Sequence, residues 1–309
     1  MQNENIESEN IQPPVGPKTA LVTIIGRPSA GKSTFLNTAA GEPVSIVSAV
    51  PQTTRNAIRG IVNTSYGQLV FVDTPGYHDS EKKMNLRMRQ IVADQLKDSD
   101  LILYIIDTTR NCAEEERLIT QLLESHQDKI VIALNKIDSA KPLLEHVQKF
   151  IKANLPNVSE NRILQISAKN DVGINEVLKA LYEMAKEGPH LYSEEFYTDQ
   201  EIDFRIAEVI REQAINRLDE EVPHAVYVQI ADLERRGPSK MWCRAFLCVE
   251  KDSQKGIVIG KGAQMIKTIR LESLKALKEI FDFKIELDLQ VRVDKNWRQR
   301  DATLNKLLK

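Results

Sequence analysis

The sequence predicts an α/β domain with a mixed, mostly parallel sheet, followed by a smaller α+β module. Three observations carry this. Short apolar runs alternate with helical patterns up to residue 187, GPHLYSEEFYTDQ at 188–200 breaks the alternation, and residues 201–309 then read helix, two strands, helix, strand.

Strand candidates in the first part are Ala20–Ile25, Ala57–Val62, Leu69–Asp73, Leu101–Asp107, Ile130–Leu134 and Ile163–Ile166. The runs at 101–107 and 130–134 are apolar nearly throughout, as central parallel strands covered on both faces require. Leu143, Val147, Phe150 and Ile151 share one face of a helix at 142–154; Ile174, Val177, Leu178 and Leu181 share one face at 174–186. Gly188-Pro189 stops that helix and opens a connection over 188–200. Beyond it come a helix at 204–218, strands at 225–231 and 241–249, the Gly-rich run KGIVIGKGA, a helix at 263–280 and a strand at 283–293.

Composition bounds the class. Hydrophobic residues are 42% and charged residues 28%, as in ordinary globular chains, and 6% aromatic content argues against an aromatic stacking platform. Residues 1–18 are polar and acidic with three prolines, too poor in apolar surface to offset ordering entropy, and read as a flexible tail without a targeting signal. No run of 18 apolar residues occurs, which excludes a spanning helix. Cys112, Cys243 and Cys248 have no metal-ligand spacing and read as buried free thiols of a reducing cytoplasm. The formal charge of −2 hides an asymmetry: residues 1–199 carry 21 basic and 26 acidic side chains, while residues 234–309 carry 18 and 10. A basic module behind an acidic one points to a polyanion-facing surface in the second part only.

Gly26-Arg27-Pro28-Ser29-Ala30-Gly31-Lys32-Ser33 follows one strand candidate and runs through Thr34 into a helical stretch, the strand–loop–helix context of a phosphate-binding loop. Gly26 and Gly31 permit the backbone angles that gather N–H groups on an anion; Lys32 reaches the β- and γ-phosphates and the Ser33 hydroxyl ligates Mg²⁺. Asp73-Thr74-Pro75-Gly76 ends a second strand candidate, so Asp73 joins the Mg²⁺ set and the Gly76 N–H can report a γ-phosphate. Between them lies Pro51-Gln52-Thr53-Thr54-Arg55, where one threonine closes over the metal; Thr54 is preferred to Thr53. Asn135-Lys136-Ile137-Asp138 follows another strand. One carboxylate can accept both the N1–H and the exocyclic amine of guanine, so Asp138 selects GTP and GDP over adenine nucleotides; Asn135 ties loops together and the Lys136 stem covers the base. Backbone amides of Ser167-Ala168-Lys169 can meet the guanine carbonyl. Lys32, Thr54 and Gly76 are the candidates for assisting hydrolysis. No glutamine follows Gly76; His78 reads as an exposed loop residue rather than a water-positioning one, and Arg55 and Arg59 are weak arginine-finger candidates, so intrinsic turnover is expected to be slow.

In the second part, Gly260-Lys261-Gly262-Ala263 is a G-x-x-G-type turn that lets a nucleic-acid backbone come close. Lys251, Lys255, Lys261, Lys267 and Arg270 surround it, and Ile257 and Ile259 are expected to floor a groove for unstacked bases. A second phosphate loop would need a spacing that Gly-Lys-Gly lacks, and a bare structural turn is the plainer alternative. Trp242 and Trp297 read as core or interdomain packing before stacking platforms.

With both halves read, the chain resembles the Era family of bacterial ribosome-assembly GTPases over 19–309. The resemblance rests on GRPSAGKST at 26–34, PQTTR at 51–55, DTPG at 73–76, NKID at 135–138, SAK at 167–169, IREQ at 210–213, VEKDSQKGIVIGKGA at 249–263 and VRVDKNW at 291–297. It implies a P-loop GTPase domain at 19–187, a linker at 188–200 and a type II K-homology (KH) domain at 201–309 that binds single-stranded rRNA near the 3′ end of small-subunit rRNA. It also implies GTP-dependent association with the maturing 30S subunit and peripheral association with the cytoplasmic face of the membrane, for a cytoplasmic protein expected to be monomeric when free. The competing reading is a nucleotide-bound structural or membrane-associated adaptor with little turnover. Four positions depart from the family pattern. Ser29 and Ala30 replace an asparagine and a valine; in related GTPases that asparagine helps hold potassium, so the shorter Ser29 puts potassium activation in doubt. Ala263 replaces the last glycine of G-K-G-G and is expected to suit a helical start, and Arg270 stands for a glycine and could add a phosphate contact.

Overall fold

The computed structural model describes residues 16–77 and 82–308. Most of the expected tail and His78 fall outside the described residues; residues 16–18 fall inside, with Lys18 already paired in a strand and Pro17 accepting a hydrogen bond from Gly188 N–H.

The first unit runs β1 (Lys18–Ile25), α1 (Lys32–Ala40), β2 (Ile58–Thr64), β3 (Gly67–Asp73), α2 (Lys83–Asp98), β4 (Leu101–Asp107), α3 (Glu114–Leu123), β5 (Ile130–Asn135), α4 (Leu144–Asn154), β6 (Ile163–Ile166) and α5 (Ile174–Met184). Its sheet has the order β2-β3-β1-β4-β5-β6; only β2 is antiparallel to its neighbour on this path. Every residue of β3, β4 and β5 is buried, which explains their unbroken apolar character. α1 and α5 seal one face of the sheet, and α2, α3 and α4 seal the other. The carboxyl ends of β1, β3, β5 and β6 therefore open on one rim, where such sheets hold ligands.

α5 ends at Met184, before Gly188-Pro189, because β7 (Lys186–Glu187) turns back to pair antiparallel with β1. The 188–200 connection is pinned to the first unit. Ile61 N–H donates to Tyr197 O (2.9 Å), Gln68 Oε1 accepts from the Leu191 and Tyr192 amides (2.8 and 3.0 Å), and Thr198 Oγ1 donates to Arg59 O (2.8 Å). The bonds at Ile61 and Arg59 lie on the otherwise open edge of β2.

The second unit runs α6 (Ile202–Ile215), α7 (Val222–Ala225), β8 (Tyr227–Arg235), β9 (Lys240–Val249), α8 (Asp252–Ile259), α9 (Gln264–Ile280), β10 (Lys284–Val293) and α10 (Asp301–Leu307). Its sheet order is β10-β9-β8, with β9 parallel to β10 and antiparallel to β8. Apolar residues of α6, α8 and α9 pack on one face. The expected order of helix, two strands, helix, strand is corrected by α8, a helix directly before Gly260 whose start is held by Gln254, its Oε1 accepting from the Glu250 and Lys251 amides. Cys243 and Cys248 are both buried, on opposite faces of β9, whereas Cys112 is only half-buried.

The two units meet along α2. Met84 and Met88 pack against Tyr227, Cys248, Trp297, Leu304 and Leu308. Trp297 is almost fully buried there, its indole N–H donating to Ala225 O (2.8 Å) and its ring meeting the edge of Tyr227. Trp242 instead lies half-buried on the outer sheet face, between the guanidinium groups of Arg236 and Arg244.

Candidate functional site

The turn from β1 into α1 is shaped by its two glycines. A side chain at Gly26 would strike the Ile105 carbonyl, and one at Gly31 (φ 96°) would strike the Asn135 amide. Lys32, nearly buried, folds back so that Nζ lies 3.0 Å from Gly26 O and 3.1 Å from Arg27 O. Burial lowers its pKa to about 8, against the opposing pull of Asp73 and Glu115. Ser33 and Thr34 begin α1. Asp73-Thr74-Pro75-Gly76 closes on this loop: Thr74 Oγ1 donates to Ile24 O (2.7 Å), Tyr77 N–H donates to Gly26 O (3.2 Å), and a side chain at Gly76 would come within 2.7 Å of Pro28 Cα. Arg27 contributes backbone only, since its buried guanidinium turns away to Glu116 (3.2 Å) and Asp107 (3.6 Å). Ser29 takes a left-handed conformation (φ 61°), and Ala30 is fully buried beside it.

Asp73 ends β3 fully buried. Its Oδ2 accepts from Ser33 Oγ (2.6 Å), Ser45 Oγ (2.8 Å) and Thr54 Oγ1 (3.3 Å), and Ser33 and Thr54 hydroxyls lie 2.9 Å apart. Burial pushes this carboxyl up, opposed by Lys32 and by the three hydroxyl bonds. Among the described residues its Oδ1 is buried without a partner. An unpaired buried carboxylate oxygen amid converging hydroxyls suits a hard, oxygen-seeking dication. Thr53 turns away, donating to Val50 O (2.7 Å). Ser45 is absent from the sequence-based set. Its placement depends on Asn37 of α1, whose Oδ1 accepts from the Val44 and Ser45 amides and whose Nδ2 donates to Ser45 O. A lone serine in an irregular stretch carries no periodic signal of that.

Arg55 and Arg59 do not face this site. Arg59 pairs with Asp199 at 3.2 Å, and Arg55 is buried against the second unit.

Asn135 bridges three loops: Nδ2 donates to Ala30 O (2.9 Å), and Oδ1 accepts from Lys136 N (2.8 Å) and Ala168 N (3.0 Å). Lys136 is held left-handed (φ 69°) with Nζ 2.8 Å from Asp107. Asp138 is exposed, and its Oδ1 accepts from Ser167 Oγ at 2.7 Å. Two of the amides expected for the base are already engaged, Ser167 N–H with Val172 O and Ala168 N–H with Asn135, which leaves the Lys169 end of the turn.

The second unit presents its turn between α8 and α9. Gly260 (φ 74°, ψ 169°) and Gly262 (φ 58°) are both in glycine-favouring regions. A side chain at Gly260 would crowd Met265, whereas Gly262 opens onto free space. Lys251, Lys261 and Lys267 are exposed around it and Lys255 is half-buried. Two expectations are corrected here, for Ala263 and for the Ile257/Ile259 pair. Ala263 is left-handed (φ 59°, ψ 24°), not in the first turn of a helix. Ile257 and Ile259 are helical, and positions two apart point to different sides, so they do not together floor one groove; Ile257 is exposed and Ile259 half-buried. Arg270 is tied to β10, its Nε donating to Leu287 O at 2.7 Å.

Phosphate loop, hydroxyl-ringed Asp73 and exposed Asp138 on one rim, with a three-stranded α+β unit behind, define a P-loop GTPase joined to a KH domain. The description "50S ribosome-binding GTPase" matches residues 21–136 and "KH domain" matches residues 221–298. The chain is similar to GTPase Era of Treponema denticola, 56% identical over 290 residues that cover 94% of this chain and 99% of that one. It is also similar to a crystal structure of Era in complex with MgGDPNP and nucleotides 1506–1542 of 16S ribosomal RNA, with TM-score 0.88, 30% identity and coverage of 94% and 98%. A variant of Aquifex aeolicus Era bound to GDP and AlF4⁻ has TM-score 0.88 and 31% identity, at the same coverage. The chain belongs to the GTPase Era family. Among the described residues no helix is long and apolar enough to cross a membrane.

Proposed function

We propose that this protein is a slowly hydrolysing GTP switch that binds small-subunit rRNA near its 3′ end and assists assembly of the 30S subunit. The observation that carries the enzymatic part is the Asp73 cluster, three hydroxyls on one oxygen with the other unpaired, set beside the Lys32 loop. Ser33, Thr54 and Asp73 would hold Mg²⁺, which when bound neutralises charge on the β- and γ-phosphates. Gly26 to Thr34 cradle the phosphates with backbone amides, Lys32 adds a cation, and Gly76 offers an N–H to the γ-phosphate. Asp138 accepts both donors of the guanine edge, Lys136 covers the base, and Asn135 locks its loop to the phosphate loop. With Arg55 and Arg59 engaged elsewhere, neither of them reaches the transition state, so turnover is slow. Ser29 is too short to replace an asparagine carboxamide at a cation, and potassium gives little stimulation.

The RNA part rests on the KH topology, the exposed Lys251, Lys261 and Lys267 about the Gly260–Ala263 turn, and the solved Era complex with 16S rRNA. The units at 19–187 and 201–309, joined through 188–200, act as sensor and output, in a monomer of the cytoplasm that also touches the inner membrane surface. Crosslinking in cells with sequencing of bound RNA tests this. Enrichment at the 3′ end of small-subunit rRNA is expected, and a profile centred elsewhere overturns it. Calorimetry adds the nucleotide: GTP and GDP bind far more tightly than ATP, and Asp138→Asn erases that preference.

A further inference from the structure

The segment between α1 and β2 carries Thr54 to Asp73, yet much of what holds it comes from the second unit and the connection leading to it. Gln200 Nε2 donates to Val44 O (2.8 Å) and Val47 N–H donates to Glu212 Oε1 (2.8 Å). Val50 packs against the apolar core of the KH unit. Arg211 Nη2 donates to Thr53 O (2.7 Å), and Arg55 donates to Val226 O (2.7 Å) and His224 O (3.2 Å) while lying over the Trp297 ring. The grip thus brackets Thr54 on both sides.

Of the groups on the second unit, Arg211 holds the residue directly before Thr54. Its side chain is 2% exposed, and Glu208, one turn earlier on α6, fixes it through Nε at 2.7 Å. Its guanidinium is therefore aimed before the switch segment arrives. The carbonyl it holds, Thr53 O, belongs to the peptide unit that joins Thr53 to Thr54. A peptide plane is rigid, so fixing that oxygen fixes the amide and Cα from which the Thr54 hydroxyl reaches Ser33 and Asp73. A charged donor on a buried carbonyl is also among the stronger hydrogen bonds.

We propose that Arg211 is a positioning residue for GTP hydrolysis: from the KH unit it holds the Thr53–Thr54 peptide, so the switch segment closes fully on the nucleotide site only while the KH unit is docked. The proposal rests on the GTPase reading above. By linkage, closure of Thr54 favours docking by the same factor that docking favours closure.

The test uses the full chain carrying Arg211→Gln, Arg211→Lys and, as an independent release of the same segment at Val47, Glu212→Ala. Single-turnover GTP hydrolysis, GDP affinity and hydrogen exchange of peptides within 44–57 in a non-hydrolysable GTP analogue are compared with the parent chain. Arg211→Gln slows hydrolysis about tenfold, which is ~1.4 kcal/mol of barrier, and speeds exchange in 44–57, with GDP affinity changed less than twofold. Arg211→Lys, which keeps one charged donor, recovers part of both. Glu212→Ala speeds exchange and slows hydrolysis about threefold, and carries the test if Arg211→Gln does not fold. Unchanged hydrolysis and exchange in Arg211→Gln overturn the proposal, or in Glu212→Ala if it is the variant that folds. So does a parallel loss of GDP affinity, which would mark a merely structural residue. A parent chain that hydrolyses no GTP would instead overturn the GTPase reading.

Discussion

Replacing Ala263 by glycine is expected to stabilise the KH unit, although it removes a side chain. Ala263 sits at φ 59°, ψ 24°, immediately before α9, in the region where a Cβ crowds the following carbonyl. That conformation costs a non-glycine residue roughly 1–2 kcal/mol. Glycine gains freedom in the unfolded chain, which takes back ~0.4–1 kcal/mol. The methyl group is exposed, so little packing is lost with it. The balance is about 0.5–1 kcal/mol of added stability. For a unit of this size that raises the unfolding midpoint by about 2–8 °C. Both tryptophans, Trp242 and Trp297, belong to the KH unit, so thermal unfolding followed by tryptophan fluorescence reads this unit directly. A midpoint for Ala263→Gly at or below that of the parent would refute the reasoning, because it would mean that Ala263 carries no left-handed cost.

Two further outcomes follow from the nucleotide loop. Lys32, with its pKa lowered by burial to about 8, is charged at pH 7 and mostly neutral at pH 9. Bound phosphates hold it protonated, so GDP affinity falls about tenfold between pH 7 and 9; a flat profile by calorimetry contradicts this. The same shift acts on stability with the opposite sense: between about 8 and 10.5 the unfolded chain holds this proton and the folded chain does not, so the Lys32 contribution improves as pH rises. Potassium in place of sodium is expected to change the hydrolysis rate of the parent chain less than twofold, and Ser29→Asn to introduce stimulation; strong potassium activation of the parent would show that Ser29 is no obstacle.

Legibility from sequence followed the reach of each signal. β4 and the phosphate loop were readable because a run of six apolar residues and a fixed glycine spacing are local properties. α8 was not: Ile257, Val258 and Ile259 are β-branched, and only Val258 in that helix is buried, so neither propensity nor an apolar stripe marks it. Ala263 misled for a related reason, since alanine favours helices and its left-handed angle is imposed by the turn before it. Thr54 was only weakly separable from Thr53, and geometry separates them: one hydroxyl meets Asp73, the other Val50 O. The bond from Arg211 to Thr53 spans 158 residues and has no trace in either local pattern.

That long-range contact bears on why two buried arginines stand together between the units. Arg55 and Arg211 are both nearly buried, and burial first, then the charge of Arg211, disfavours the charged form of Arg55. The apolar contacts of Met84, Met88 and Trp297 also favour the docked arrangement. The arginines depend on the switch segment, because carbonyls at Val226, His224 and Thr53 offset their desolvation only when that segment lies in place. If the segment moves, Arg211 loses its carbonyl while keeping Glu208, and Arg55 exchanges two carbonyls for water. Docking is thus held by two kinds of force, apolar burial along α2 and charged donors on switch-segment carbonyls. The second ties the Thr54–Asp73 contact to the KH unit.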